Sequence, residues 1–434
     1  MIIIDTELKK RAAAGRPVRV GIAGAGFMGR GIAHTIVNAV PGMQLVAIAE
    51  RTLDKARAAY EFAGAGPVEE AASAAQLDDA ARRGRPAVTE DAMLLCEAEG
   101  IDVVLESTGD IGFAAGLVSA AIRHGKHAVM NAEVDATVGP ILKVHADRAG
   151  VVLSGCDGDQ PAVQMNLYRM VAGMGFEPLM CGNIKGMLDY YRTPATQAAF
   201  AAAAGLSATM ATSFADGTKV SMEQAVVANA TGMRVAQRGM LGREHRGHLD
   251  GFKELFDVAE LRRWGGIVEF ALGVEPGPGV FVLAAATDPK QVPYLRYCKL
   301  GDGPLYTFYV PYHLMTFEAH LSLARAVLFR DAAIAPIAGP VVDVVATAKR
   351  DLRPGEAVDG VGGFATYGLC ENSATVRREG LLPMGLANGC RMAREVPKDQ
   401  VLTYADVTLP ADSLVHRLRQ EQDALFGAPD GGIV

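Results

Sequence analysis

Lys185 and Lys219 are the side chains best placed for proton chemistry, since each falls at an expected strand end or turn in the middle of the chain. A lysine desolvated there has a lowered pKa and can protonate or polarise a forming alkoxide, the companion step to hydride transfer onto a carbonyl. A solvated surface lysine is the competing reading for both. Carboxylates come from Glu133, Asp157, Asp159, Asp189 and Glu223, with Glu133 read as catalytic and Asp189 as a substrate contact. Asp157 and Asp159 follow an expected strand end, where ligands gather in open sheets, and such oxygens suit a divalent metal such as Mg or Mn. A plain Asp-Gly-Asp turn explains them equally well. Arg243, His245, Arg246 and His248 crowd one polar stretch. Their guanidiniums suit a substrate phosphate, against a solvated loop as the alternative.

These groups need a frame, and the frame starts at Val18 to Gly29, an apolar strand running into Gly24-Ala25-Gly26-Phe27-Met28-Gly29 and then a helix. Gly24, Gly26 and Gly29 fill G-x-G-x-x-G, which gives a tight turn, a close backbone approach for pyrophosphate, and close helix-strand packing. A helix N-terminus behind the turn offers free N-H groups to the phosphates. The next strand, Gln44 to Ala49, ends on Glu50, where a carboxylate would hold the adenosine ribose hydroxyls of NAD. Arg51 follows at once and suits the 2'-phosphate of NADP, so the residues leave NAD and NADP both open. Further on, the strand Ile101 to Glu106 ends in Ser107-Thr108-Gly109, small residues that leave room for a nicotinamide, and another strand ends at Asn131.

Strand and helix alternate up to residue 155, which predicts an α/β fold with a doubly wound, parallel Rossmann sheet over 1-155. An inserted helix is expected near 64-88, and a short leading helix over 4-14 capped by Asp5 or Thr6. Residues 156-333 read as an α+β substrate-binding and oligomerisation domain, in which Ser221 is the expected cap of a helix carrying Glu223. From 334 the chain turns to Pro, Gly and Val with short strands at Val341 to Ala348, Asp351 to Glu356, Leu382 to Leu386 and Cys390 to Ala393, a small all-β module closed by a helix near 411-425.

Composition limits the partners. The chain has 434 residues, half of them apolar, and a net charge of -7, which offers no basic footprint for nucleic acid or an anionic membrane. The apolar run Pro194 to Ala215 is too rich in alanine and polar residues to read as a membrane span. Six scattered cysteines form no C-x-x-C pair, and the charged N-terminus has no signal-peptide core, so a reducing cytoplasm is expected. A small-molecule substrate and a homo-oligomer complete the expectation.

The first three hundred or so residues resemble homoserine-dehydrogenase-like NAD(P) oxidoreductases, through the glycine corner, Ser107-Thr108-Gly109 and Gly182-Asn183-Ile184-Lys185-Gly186. The last hundred resemble a SAF domain of the β-clip type, through Thr347 to Glu356 and Val396-Pro397-Lys398-Asp399. The combination is similar to a bacterial group with a 1-deoxy-D-xylulose 5-phosphate reductoisomerase-like branch. That resemblance implies NADPH, a divalent metal and the product 2-C-methyl-D-erythritol 4-phosphate. Homoserine dehydrogenases carry Asn-Lys where this chain has Asn131-Ala132-Glu133, so the ammonium beside their carbinol is absent. Three functions remain in competition: the reductoisomerase, a homoserine or other small hydroxy-acid dehydrogenase, and a non-catalytic dinucleotide sensor.

Overall fold

The computed structural model describes residues 3-427 and divides them into two compact units. The first comprises residues up to Asp159 together with Leu314–Ala335, and the second comprises Gln160–His313 and the chain from Pro336 onward.

The first unit is built on a parallel sheet of seven strands: β1 (Val18–Ala23), β2 (Met43–Ala49), β3 (Glu69–Glu70), β4 (Ala87–Thr89), β5 (Val103–Glu106), β6 (His127–Met130) and β7 (Leu153–Gly155). Their spatial order is β3-β4-β2-β1-β5-β6-β7. The chain therefore runs outward from β1 through β2, then returns to lay β5 on the opposite flank of β1. That reversal makes a topological switch point at the carboxyl ends of β1 and β5, the place where open α/β sheets bind ligands. Near-continuous burial along β1, β2 and β5 follows from their Val, Ile, Leu and Ala runs, which need cover on both faces. The expected insertion is present as the helix Ala74–Arg82 between the short strands β3 and β4. The leading helix is also present, Ile4–Ala13, but neither Asp5 nor Thr6 caps it, because it starts one turn-position earlier, after Ile3, with no side-chain cap.

One boundary differs from expectation. The helix Met315–Phe329 packs on the helix Phe27–Ala39 and against β1, β5, β6 and β7, with Ala319, Leu323 and Ala324 in the same core as Val18, Ile22 and Ile32. It thus belongs to the first unit, although it lies within the expected span 156-333. An apolar stripe states that a helix is covered on one side without naming the surface that covers it.

The second unit is organised by a mixed five-stranded sheet of β8 (Phe176–Lys185), β9 (Glu244–His248), β10 (Ile267–Glu275), β11 (Val280–Ala286) and β12 (Leu305–Val310), in the order β12-β11-β8-β10-β9. The helices Gln160–Gly173 and Thr218–Thr231 pack on it. On the other side Phe252, Leu249 and Leu261 join Phe281 and Leu283 in a separate core. The end of the chain adds the antiparallel pairs β13 (Val342–Ala348) with β14 (Thr366–Asn372) and β15 (Arg391–Met392) with β16 (Val407–Thr408), tied by single bridges such as Thr347 with Val401. Asp351 to Glu356 is a turn held by the Leu352–Val396 bridge and not a strand, and Met384–Leu386 is a turn of 3-10 helix. Gly and Pro within these stretches prevent longer ladders. The closing helix Leu414–Phe426 is fastened to β13 by the buried Arg419–Asp343 ion pair.

No single helix among the described residues is long and apolar enough to cross a membrane. Only the pair Pro194–Ala204 and Ala208–Ala215, bent by 110°, passes such a test when joined.

Candidate functional site

In the first unit the glycine corner has the geometry that its spacing demands. Gly24 adopts φ +102°, and a Cβ there would stand 2.6 Å from the Ser107 carbonyl oxygen, so the end of β5 seals the turn from below. A Cβ on Gly29 would collide with the Gly24 carbonyl, which shows how tightly the helix sits on the turn. At Gly26 the same imagined atom meets nothing within 4 Å. The middle glycine alone faces open space, as a position that a pyrophosphate must approach requires. Gly26 is also the N-cap of Phe27–Ala39, with no side chain spent on the first N-H groups. Phe27 is exposed and Met28 half-buried. Glu50 folds back over the turn and accepts the Ala25 N-H at 3.0 Å, while Arg51 is exposed beside it.

Around the switch point the ends of β5 and β6 are stapled by Glu106, a residue the sequence did not single out. Its carboxylate accepts the Thr108 N-H and hydroxyl, both at 2.6 Å, and the backbone N-H of Asn131. Burial pushes its pKa up, with the hydrogen bonds from Thr108 opposing and the charge of Glu133 adding to the rise. Thr108 and Gly109 are exposed at the strand end, and Asn131 is half-buried as the N-cap of Ala132–Ala149. Glu133 is buried in the first turn of that helix, where a negative charge meets the positive end of the dipole. One turn-face along, Asp135 is fully buried with neither oxygen hydrogen-bonded, and burial lifts its pKa to about 8.

Asp157 and Asp159, the expected metal ligands, lie where the strand β7 ends. Asp157 is buried and committed to the helix Met315–Phe329: its Oδ2 accepts from the Ser322 hydroxyl at 2.9 Å and lies 3.7 Å from Arg325. Asp159 is buried next to it in sequence. Among the described residues no three His, Cys, Asp or Glu side chains gather as a metal site. Asp157 therefore anchors a returning helix after a strand end, a structural use of the same turn chemistry.

In the second unit Lys185 closes β8 and Lys219 stands in the first turn of Thr218–Thr231. Desolvation depresses the pKa of Lys185. The carboxylate of Glu223 opposes that effect, Lys219 reinforces it, and Asp216 opposes it. The two lysines and two carboxylates therefore form one electrostatic cluster. Strand alternation puts Asn183 and Lys185 on one face of β8, and Asn183 Nδ2 donates to Glu223 Oε2 at 2.6 Å. Gln224, on the next position of the helix, donates to the carbonyl oxygens of Cys181 and Glu269, which locks the helix to β8 and β10. Ser221 is not the helix cap: it lies inside the helix and donates to the Gly368 carbonyl at 3.0 Å. The helix begins at Thr218 because Asp216 Oδ1 accepts the Thr218 N-H at 2.9 Å across Gly217, whose φ of +81° allows the turn.

Other expected contacts are spent locally. Asp189 accepts from the Tyr191 N-H and from Arg192 Nε at 3.0 Å, which builds a local turn. Arg243 donates to the Leu255 carbonyl and lies 4.6 Å over the Phe256 ring. Arg246 is exposed on β9, an edge strand separated from β8 by β10. Arg243 is thus engaged by the Leu255 carbonyl and the Phe256 ring, whereas Arg246 is exposed on the edge strand.

Residues 158–319 match the family described as "Oxidoreductase DRL, catalytic domain", a span that includes Lys185, Lys219 and Glu223. The protein is an oxidoreductase with a Rossmann-type parallel sheet. No curated protein sequence matches the chain at a significant level. Among solved structures it is similar to scyllo-inositol dehydrogenase from Lactobacillus casei (12% identity, 68% of this chain and 76% of that one, TM-score 0.38). It is also similar to a probable dehydrogenase from Thermotoga maritima (14%, 74% and 91%, TM-score 0.40) and to the 3-ketoreductase KijD10 from Actinomadura kijaniata (16%, 73% and 91%, TM-score 0.39).

Proposed function

We propose that the protein is a cytoplasmic NAD(P)-dependent reductase of a small carbonyl compound, in which Lys185 donates the proton that accompanies hydride transfer. The observation that carries this reading is the place of Lys185 inside the matched span, at the end of β8 on the same face as Asn183, whose amide holds Glu223. A general acid works best with a pKa near the operating pH, and desolvation moves a lysine in that direction. Lys219 holds Lys185 low by repulsion, and Glu223, fixed by Asn183, keeps it from falling further.

The residues of the first unit fit a dinucleotide. Gly24, Gly26 and Gly29 would hold its pyrophosphate at the open face of Gly26, Glu50 its adenosine ribose, and Ser107, Thr108, Gly109 and Asn131 the nicotinamide side. When bound, the nicotinamide supplies or takes the hydride. Glu50 favours NAD and Arg51 favours NADP.

For the particular substrate we infer 1-deoxy-D-xylulose 5-phosphate, reduced and isomerised to 2-C-methyl-D-erythritol 4-phosphate. Its support is the family resemblance, with the C-terminal β segment read as a SAF-like module and alanine at 132 where homoserine dehydrogenases keep lysine. Among the described residues no three His, Cys, Asp or Glu side chains gather as a metal site. The test is oxidation of NADPH, and separately NADH, by the purified protein with this sugar phosphate, with and without manganese or magnesium. Turnover supports the reading. Turnover of homoserine, with none of the sugar phosphate, overturns the substrate while keeping the reaction class.

A further inference from the structure

The two segments that carry the lysines are both held by the far end of the chain. Lys349, at the exit of β13, is buried, and its ammonium donates to Asp216 Oδ2 at 2.8 Å, to the Arg192 carbonyl at 2.7 Å and to the Gly363 carbonyl at 2.7 Å. An ammonium has three protons, and all three are used. Arg192 lies on the loop that leaves Lys185, and Asp216 is the residue whose other oxygen sets the start of the Lys219 helix.

A second set of bonds runs parallel to the first. Thr218 Oγ1 accepts the Gly368 N-H at 2.9 Å, and Asn229 Oδ1 accepts the N-H groups of Val341 and Val342, so both ends of the helix Thr218–Thr231 are laced to β13 and β14. On the loop after Lys185, Tyr190 stacks on Tyr367 at 4.9 Å between ring centroids. Tyr191 and Tyr367 both donate to the carboxylate of Asp399, and Lys398 Nζ lies 3.6 Å from the centre of the Tyr191 ring. These contacts join the expected Lys349 and Pro397-Lys398-Asp399 motifs of the C-terminal module to the loop and the helix that present Lys185 and Lys219.

We infer that Lys349 is a positioning residue of the proton-donating cluster, acting through Asp216 so that the C-terminal β module is a working part of the site and not an appendage. This rests on the reading of Lys185 as the proton donor. The charges that act on Lys185 are Glu223 and Lys219 on the helix and Asp216 before it, and Asp216 is itself bonded to Lys349. Removing the ammonium leaves a buried carboxylate without its cation, which takes up a proton and withdraws its negative charge from Lys185. Lys185 then holds its own proton less firmly.

The test is a lysine-specific NMR titration of the full chain labelled with [ε-13C]lysine, the Lys185 signal being assigned with Lys185→Arg. Lys349→Met is compared with wild type, and Lys349→Met/Asp216→Asn serves as the partner that buries no net charge. Both variants are expected to shift the Lys185 titration to lower pH. In the turnover assay kcat is expected to fall by about tenfold to a hundredfold, the loss that mispositioning of a reacting group causes, with dinucleotide Kd changed by less than about twofold. A folded double variant in which Lys185 titrates as in wild type overturns the inference. Because the titration needs no substrate, it reports on positioning even where every tested substrate fails, which keeps the failure of the proposed reaction separate.

Discussion

Asn183 Nδ2 stands 2.6 Å from Glu223 Oε2, a buried amide holding one oxygen of a buried carboxylate. That carboxylate belongs to the small set of charges that set the proton affinity of Lys185. Position, burial and charge are therefore fixed by a strand and a helix, which vary less in geometry than loops do.

The pH dependence follows from the signs of those charges. Lys185 must be protonated to act as an acid, so the reducing rate falls as pH rises through its lowered pKa, below the usual lysine range. Glu223→Gln removes a charge that raises this pKa and moves the alkaline limb of kcat to lower pH. Lys219→Met removes a charge that lowers it and moves the limb to higher pH. Stopped-flow or steady-state pH profiles of the two variants check the opposed shifts.

Lys185→Met is expected to lower kcat/KM by about 10²- to 10⁴-fold, the usual contribution of a general acid. The dinucleotide Kd stays within about twofold, since the glycine corner is untouched. Fluorescence titration with NADPH alongside the rate assay separates the two effects, and an unaltered rate would remove Lys185 from the chemistry.

Gly26 and Gly29 of the corner are expected to fail in different ways. Gly26→Ala places a methyl group where nothing lies within 4 Å, so stability is retained and dinucleotide affinity drops by about tenfold or more. Gly29→Ala forces the helix off the Gly24 carbonyl and costs about 1-3 kcal/mol of stability, the range for overpacking. Thermal unfolding and cofactor titration on the same preparations read both outcomes.

Asp135 gives a stability signature. Its pKa is about 8 in the folded protein against 3.8 for the unperturbed group, so between those values the native state holds a proton that the unfolded chain has released. Stability contributed by this site is therefore present below the unfolded value and declines as pH rises towards about 8. Asp135→Asn removes the titration. Urea unfolding at a series of pH values is expected to show the variant gaining on wild type from acid to mildly alkaline conditions.

Much of the frame was legible because its constraints are local. Gly24, Gly26 and Gly29 answer to backbone clashes within one turn, and the parallel sheet follows from alternating strands and helices. The lysines were legible as candidates because a strand end and a helix start have sequence marks. Their surroundings were not. Lys349 and Asp216 are separated by 133 residues, and no spacing rule joins a lysine near one end of a chain to an aspartate in its middle. The partners of Asp157 were hidden for a related reason: Ser322 and Arg325 lie more than 160 residues further along the chain, and no local sequence names them. Ser221 looked like a cap because serine commonly is one, but the Asp216 side chain had already set the helix start three positions earlier than the serine's own reach.

The helix Met315–Phe329 gives the first unit a schedule as well as a shape. Its Ala319, Leu323 and Ala324 complete a core whose other members, from Ile4 to Cys156, leave the ribosome far sooner. During vectorial synthesis that half-finished core waits, with apolar surface bare to water, while the whole stretch from Gln160 to His313 is translated. The apolar face that this helix covers is therefore completed only once the chain has passed Phe329.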